Sequence, residues 1–263
     1  MFRRKGLILI FVLAASGAPV FFNFARRAYV VPILMYHSVD SGGVRENRLV
    51  VSPGTFERQM RFLKERRYNV VTLEELSALI AAKSRIPDKT VAITFDDGYR
   101  DNFTRAFPVL KKYGLKATVF IIVDEVGRPQ ADRLDWQDLK QMQSSGLVTI
   151  GSHAMGPEPL TKISSGEELR RQIFGAKKAL EEKLGVPVEF FAYPEGRFDA
   201  HIRQLVRDAG YGAAVATSPG REYPNDDIYA LKRIRISESA KNLFVFWVET
   251  SGFYTFMKER RRK

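Results

Sequence analysis

From Val30 onward, short unbroken apolar runs alternate with longer stretches in which apolar positions recur every three or four residues. The short runs are Val30–Tyr36, Asn69–Thr72, Val91–Phe95, Ala117–Val123, Leu147–Gly151, Val188–Tyr193, Gly212–Ala216 and Lys232–Ile236. Unbroken runs of this kind suit strands buried on both faces, as in a sheet covered by helices. Between them the period changes. Pro53 stands where a first helical turn belongs, and Phe56, Met60 and Leu63 follow on one face. Thr72-Leu-Glu-Glu75 reads as a capping box opening a helix to about Ala82. "SSGEELRRQIFGAKKALEEKLG" reads as a long amphipathic helix closed by Gly185. Repeated strand–helix alternation predicts an α/β domain with a mostly parallel sheet, open or closed into a barrel. No internal repeat or low-complexity segment interrupts it.

One stretch does not fit that rhythm. Gly6–Ala25, "GLILIFVLAASGAPVFFNFA", carries no charge and follows Arg3, Arg4 and Lys5. It reads as a signal peptide or a membrane-anchoring transmembrane helix, and about 20 residues just suffice to span a bilayer. The small residues before Ala18 suit cleavage; Pro19 and the Phe-rich run after it suit a retained anchor, the reading favoured here. A third reading makes the segment a buried helix of the domain. The expected division is 1–27 signal or anchor, 28–252 catalytic domain and 253–263 a solvated basic tail. Either export reading places the domain outside the cytoplasm, membrane-anchored or secreted.

Charge supports this picture. The chain of 263 residues has a net charge of +12, but residues 1–30 hold +5 and the closing KERRRK holds +4, which leaves only +3 for the body. A basic excess at the two ends fits attraction to a membrane surface better than a nucleic-acid-reading face, so no nucleic-acid partner is expected. The chain has no cysteine, which excludes a disulfide framework and a thiolate zinc site.

Candidate chemistry gathers at strand ends. In "VAITFDDGYRDNF" the acids Asp96 and Asp97 follow a strand at its C-terminal end, where α/β sheets and barrels place active sites. Adjacent carboxylates repel unless a positive group lies beside them, and a divalent cation would leave one acid free as a base. The plainer reading makes Asp96 a helix cap and Asp97 a solvated side chain. Two of the three histidines, His37 and His153, also finish apolar runs, in "ILMYHS" and "TIGSHA". Each could equally be a satisfied structural residue. His201 falls in a helical stretch and reads as surface.

"TFDDGY", then "GSH", then "FFAYPEGRFD", in this order, resemble the polysaccharide deacetylases of carbohydrate esterase family 4. "VPILMYHSV" and "LDWQDLKQMQSSGLVTIGSH" resemble the branch acting on poly-N-acetylglucosamine or similar exported polymers, and the likeness runs from about Val31 to Ile236. The resemblance implies a distorted (β/α) barrel and metal-dependent removal of N-acetyl groups from a cell-envelope or exported polysaccharide. It implies Asp96 as catalytic base, and Asp97 and His153 as ligands of a divalent ion, with Zn favoured and Mn, Fe, Co or Ni possible. By position in "AYPEG", the Glu195 amide resembles the oxyanion donor and Tyr193 a pocket wall, and Tyr99 of "DDGY" joins the substrate-side candidates. The "MYH" histidine, His37, is the candidate acid for the leaving amine, since "LKRIRIS" has no histidine.

Two departures stand out. The family's second histidine, four or five residues after the first, is missing: those places hold Pro157 and Glu158. Either Glu158 completes an Asp/His/Glu set or the site is impaired. The arginine with which family members hold the base falls on Ala192. Asp132, Asp135 and Trp136 match another family motif only superficially, and Trp136 reads as helix-start packing. A carbohydrate-binding relative without catalysis and an amidase on a non-sugar amide are the competing functions.

Overall fold

The computed structural model describes residues 29–42, 48–128, 132–217 and 226–260. The segment read as signal or anchor lies outside the described residues, and among those described no helix is long and apolar enough to cross a membrane.

Every apolar run identified above contains a strand. The strands are β1 (Ile33–Tyr36), β2 (Ser38–Val39), β3 (Val50–Val51), β4 (Asn69–Val70), β5 (Thr90–Phe95), β6 (Ala117–Ile121), β7 (Val148–Ser152), β8 (Phe190–Ala192), β9 (Ala213–Thr217) and β10 (Leu231–Arg235). The order β1-β10-β9-β8-β7-β6-β5 returns to β1 through a β1–β5 pairing, so seven strands close a barrel and β4 extends it beside β5. All pairings in it are parallel. The expected α/β barrel is therefore the fold; the short β2–β3 pair was not anticipated.

Helices wrap the outside: α1 (Pro53–Glu65), α2 (Leu73–Ala81), α3 (Phe107–Tyr113), α4 (Trp136–Ser144), α5 (Gly166–Arg170), α6 (Ala176–Leu184), α7 (Ala200–Asp208), α8 (Leu243–Glu249) and α9 (Tyr254–Arg260). Their boundaries follow from the local chemistry. Ser52 caps α1 with Pro53 at its start. The Thr72–Glu75 capping box forms in full, and Gly185 ends α6 in the left-handed conformation. The long amphipathic helix is present as α5 and α6 joined through a π-helical turn at Arg171–Gly175. Asp135 caps α4 by a capping box with Asp138, and Trp136 is the first residue of that helix, packed against the core.

Strand periodicity divides the core into two layers. Ile33, Ala92, Phe120, Phe190, Ala192, Ala213, Val215 and Leu231 form an inner cluster, while Leu34, Ile93, Val119, Ile150, Phe191, Ala214 and Ile234 face the helices. Val71, Leu73 and Leu76 join the inner cluster from β4's end and α2, closing the barrel at the N-terminal ends of its strands. Gly151 is required by this packing. A Cβ there would stand 2.6 Å from the Phe120 ring, which fills the interior opposite it.

The C-terminal segment departs from expectation. Instead of a solvated tail beginning at 253, α9 packs back on the domain, and Glu259 accepts from Lys232 Nζ at 2.8 Å. Lys232, only 3% exposed in its side chain, lies beneath that contact, so a charge that looked solvated is a buried partner.

Glu249, the last residue of α8, is buried and its Oε2 has no hydrogen-bond partner. Burial pushes its carboxyl pKa from the ordinary 4.5 up to about 7, with Lys258 opposing only in part. The folded protein thus keeps a proton that the unfolded chain has released, and the stability this one group contributes is greatest below the ordinary carboxylate range and falls as pH rises toward neutrality. Glu249→Gln is expected to raise the thermal midpoint at pH 8, by the equivalent of roughly 2–3 kcal/mol, and to leave it unchanged at pH 4. Calorimetry at the two pH values tests this.

Candidate active site

Period-2 alternation carries the inner positions upward to the C-terminal rim. On β1 they run Ile33, Met35, His37; on β5 Ala92, Thr94, Asp96; on β7 Gly151, His153; on β9 Val215, Thr217; and on β10 Arg233, Arg235. The upper members converge. Met35, His37, Asp96, Asp97, His153, Tyr193, Glu195, Thr217 and Arg235 all line a cleft of about 480 Å³.

Asp96 lies at its base, 2% exposed. The Arg233 guanidinium holds it through two parallel bonds, Nη1 to Oδ1 at 2.6 Å and Nη2 to Oδ2 at 2.7 Å. Burial alone would raise this carboxyl, but the Arg233 charge, aided by His153 and by those hydrogen bonds, outweighs it and lowers the pKa to about 2. Asp96 is a locked, ionised carboxylate. Arg233 was not among the sequence candidates. It replaces, from a different strand, the arginine missing at Ala192, and its one signal was its place inside the run Lys232–Ile236 read as a strand.

Asp97 and His153 form the second feature. The His153 Nδ1 faces the Ala192 carbonyl oxygen at 2.7 Å, an atom that can only accept, so Nδ1 carries the hydrogen. Nε2 then turns a lone pair toward Asp97 Oδ1 at 3.5 Å, and Asp96 Oδ2 stands 3.9 Å away. Acceptors set against each other require a positive charge between them. Their spacing is close to the ~3.4 Å that separates two ligands bound at ~2.1 Å in a tetrahedral set, and the carbonyl-anchored imidazole is the usual way a ligand histidine is oriented. The pair fits two positions on a divalent cation.

Among the described residues no third side-chain donor joins the pair. Glu158 is exposed and stands outside the cleft, where Pro157 takes the lining position. The turn is fixed by Gln172, whose main-chain and side-chain oxygens accept from the Met155 and Gly156 amides. Among the described residues no three His, Cys, Asp or Glu side chains are grouped to hold an ion. The expectation that Glu158 completes the ligand set is therefore not met by this geometry.

The remaining candidates divide. His37 is buried, its Nδ1 lacks a partner, and desolvation lowers its pKa despite the nearby Asp96 and Asp97 charges. Tyr193 is fully buried, stacks on Phe198 and donates its hydroxyl to the Tyr229 carbonyl, so it serves as wall rather than donor. Glu195 is exposed, with its carboxylate toward Arg197, and its backbone takes a left-handed turn at φ 54°. Gly196 after it is obligatory, because a Cβ would stand 2.7 Å from the Thr217 nitrogen. Tyr99 lies under Arg133, whose guanidinium carbon is 4.0 Å from the ring centroid; Arg133, not Tyr99, lines the cleft. His201 is exposed, as expected.

A buried acid fixed by arginine and an acid–imidazole pair thus share the C-terminal rim of a parallel barrel, where barrels of this kind carry their active sites. The family model for polysaccharide deacetylases matches residues 83–214. The Bacillus subtilis protein YxkH, classed among polysaccharide deacetylases, is 34% identical over 79% of this chain and 71% of its own length. A Staphylococcus aureus poly-beta-1,6-N-acetyl-D-glucosamine N-deacetylase is 28% identical over 78% of this chain and 73% of its own. Among solved structures, the Streptococcus pyogenes deacetylase PplD in complex with acetate superposes with a TM-score of 0.74 at 27% identity, covering 82% of this chain and 97% of that one. The chain belongs to the polysaccharide deacetylase family, and is a hydrolase of carbon–nitrogen bonds.

Replacing Arg233 tests the lock on Asp96. Arg233→Met leaves a buried carboxylate unpaired and is expected to destabilise the fold by about 3–5 kcal/mol. Arg233→Lys keeps the charge but not the fork, and is expected to fold while losing at least tenfold in kcat. Thermal melts and acetate-release kinetics on the two variants measure both.

Proposed function

We propose that the protein is a divalent-metal-dependent deacetylase that removes N-acetyl groups from an exported or cell-envelope polysaccharide built on N-acetylglucosamine. The observation that carries the reading is the opposed pair of acceptors, Asp97 Oδ1 and His153 Nε2 at 3.5 Å, beside an Asp96 locked in its ionised form. A carboxylate with a pKa of about 2 is a weak base. It can act only on a water already acidified, and Lewis acidity toward water and the acetyl carbonyl is the chemistry a divalent cation would supply at Asp97 and His153.

The chain's own residues supply the rest. Asp96 takes the proton of the attacking water; its two oxygens keep unused lone pairs beyond those bonded to Arg233. The Glu195 amide, at the left-handed turn on the rim, is the donor for the developing oxyanion. The proton that Asp96 takes from the water is the one the departing amine requires; His37, neutral at rest because burial lowers its pKa, relays it and is a correspondingly strong acid while it holds that proton. Arg133 and Arg235 at the cleft wall offer donors to sugar hydroxyls. The sequence of residues 6–25 supports an extracytoplasmic domain, anchored or exported. A carbohydrate-binding relative without catalysis is the competing reading, favoured only by the lack of a third side-chain donor.

Asp96→Asn is expected to abolish acetate release from N-acetylglucosamine oligomers, a loss of about 10²–10⁴-fold or more, while bound metal stays unchanged. Retained acetate release would overturn the assignment. Asp97→Ala or His153→Ala is expected to empty the site of metal, and Glu158→Ala to leave stoichiometry as it is. Elemental analysis of the purified variants separates these outcomes, and a wild-type protein that binds no metal would favour the non-catalytic reading.

A further inference from the structure

The α8 helix exposes what a helix of a soluble domain normally buries. Its Phe246 is fully buried and packs edge-on to Phe62 of α1 with ring centroids 5.8 Å apart, which sets the rotation of the helix. Phe244 and Trp247 are thereby turned outward, 67% and 49% exposed, with their rings 5.7 Å apart. Phe253 and Met257, 40% and 42% exposed, continue apolar surface into the next segment.

A shallow groove of about 410 Å³ runs between α8 and α1. Phe62, Phe244 and Trp247 supply its apolar lining, and the exposed Arg58, Arg61 and Arg66 supply charge, with Glu65 the one acid among the lining residues. The described chain begins beside the segment that follows α8. Val30 N–H donates to the Gly252 carbonyl and the Tyr29 ring stands edge-on to Phe253 at 5.8 Å. Those contacts lie at the N-terminal ends of the barrel strands, opposite the catalytic rim.

We propose that this face docks on an anionic phospholipid bilayer, with Phe244 and Trp247 set among the headgroups and Arg58, Arg61 and Arg66 on the lipid phosphates. Aromatic rings between guanidinium groups are the composition a membrane interface selects. A sugar platform would instead pair the rings with amides and carboxylates able to bond hydroxyls, and Glu65 is the only such group lining the groove. The chain on either side agrees: the uncharged stretch 6–25 precedes Tyr29, and KERRRK, at +4, begins at Lys258 within α9. The proposal is independent of the deacetylase chemistry.

The test uses the full chain reconstituted in phosphatidylcholine vesicles with and without phosphatidylglycerol, the acyl chains brominated. Trp136→Phe leaves Trp247 as the one tryptophan of the two in the chain. Its emission is expected to shift to the blue and to be quenched by bromine in the anionic vesicles and not in the neutral ones. In the reciprocal Trp247→Phe variant, Trp136 is expected to remain unquenched. Arg58→Glu and Arg61→Glu should each lower the docked fraction roughly fivefold, and added salt should do the same. Acetate release from soluble oligomers should not change in these arginine variants. Trp247 emission that is the same in both lipids overturns the proposal, as does quenching indifferent to salt and to the arginines. Emission that responds to N-acetylglucosamine oligomers in place of lipid also overturns it and makes the face a glycan site.

Discussion

The ion pair between Arg233 and Asp96 is the contact on which the site depends. Taking two charges out of water costs several kcal/mol per ion, and only near-ideal geometry offsets that. Here the fork of Arg233 meets both carboxylate oxygens, and the guanidinium also lies over the Phe120 ring at 5.5 Å. The pair spans the barrel's closure. Arg233 is level with Ile33 of β1, which is level with Ala92 of β5, and its side chain climbs past Thr94 to reach Asp96. A carboxylate held across β10, β1 and β5 is positioned only when those strands have closed, so folding and its orientation are one constraint.

Backbone strain marks the same rim. Asp97, Ala154 and Glu195 each have positive φ, at 67°, 68° and 54°, and each follows closely on an inner strand. Left-handed backbone costs a non-glycine residue roughly 1–2 kcal/mol. Each turn comes where an upward strand must hand its last inward side chain to the cleft and leave for the outer layer. That Asp97 is so placed explains how adjacent acids can serve different partners: Asp96 keeps the inward register and meets Arg233, while Asp97 turns aside to face His153.

Much of this was legible in the chain. Eight apolar runs contain strands, the Thr72 capping box forms, and the strand-end residues Asp96, Asp97, His153 and His37 do meet in one cleft. What was not legible concerns charges in unexpected places. In a strand buried on both faces, inner and outer positions are both apolar, so the pattern does not say which way Arg233 points. Lys232 and Arg233 are neighbours that face opposite layers, one meeting Glu259 of α9 and the other Asp96. Both lie in the run Lys232–Ile236 read as a strand, and neither was singled out as a partner of an acid. The Glu158 expectation failed differently. Spacing from His153 was right for a ligand, but the tether of Met155 and Gly156 to Gln172 aims the turn so that Pro157, not Glu158, meets the cleft.

The architecture also separates two kinds of charge, one gathered in the cleft at the rim and one spread along the helical flank. At the C-terminal rim, charges are paired and enclosed: Arg233 with Asp96 and Arg133 with Glu125. Such charges are little affected by salt, and they set reactivity by fixing which atoms carry protons. Along the lower flank, Arg58, Arg61 and Arg66 are exposed beside unburied aromatic rings, where charge acts at a distance and is screened. A parallel barrel makes this division natural. Every strand ends at the same rim, so side chains that need enclosure collect there, and the helices that return the chain present their outer faces to whatever surface lies beneath.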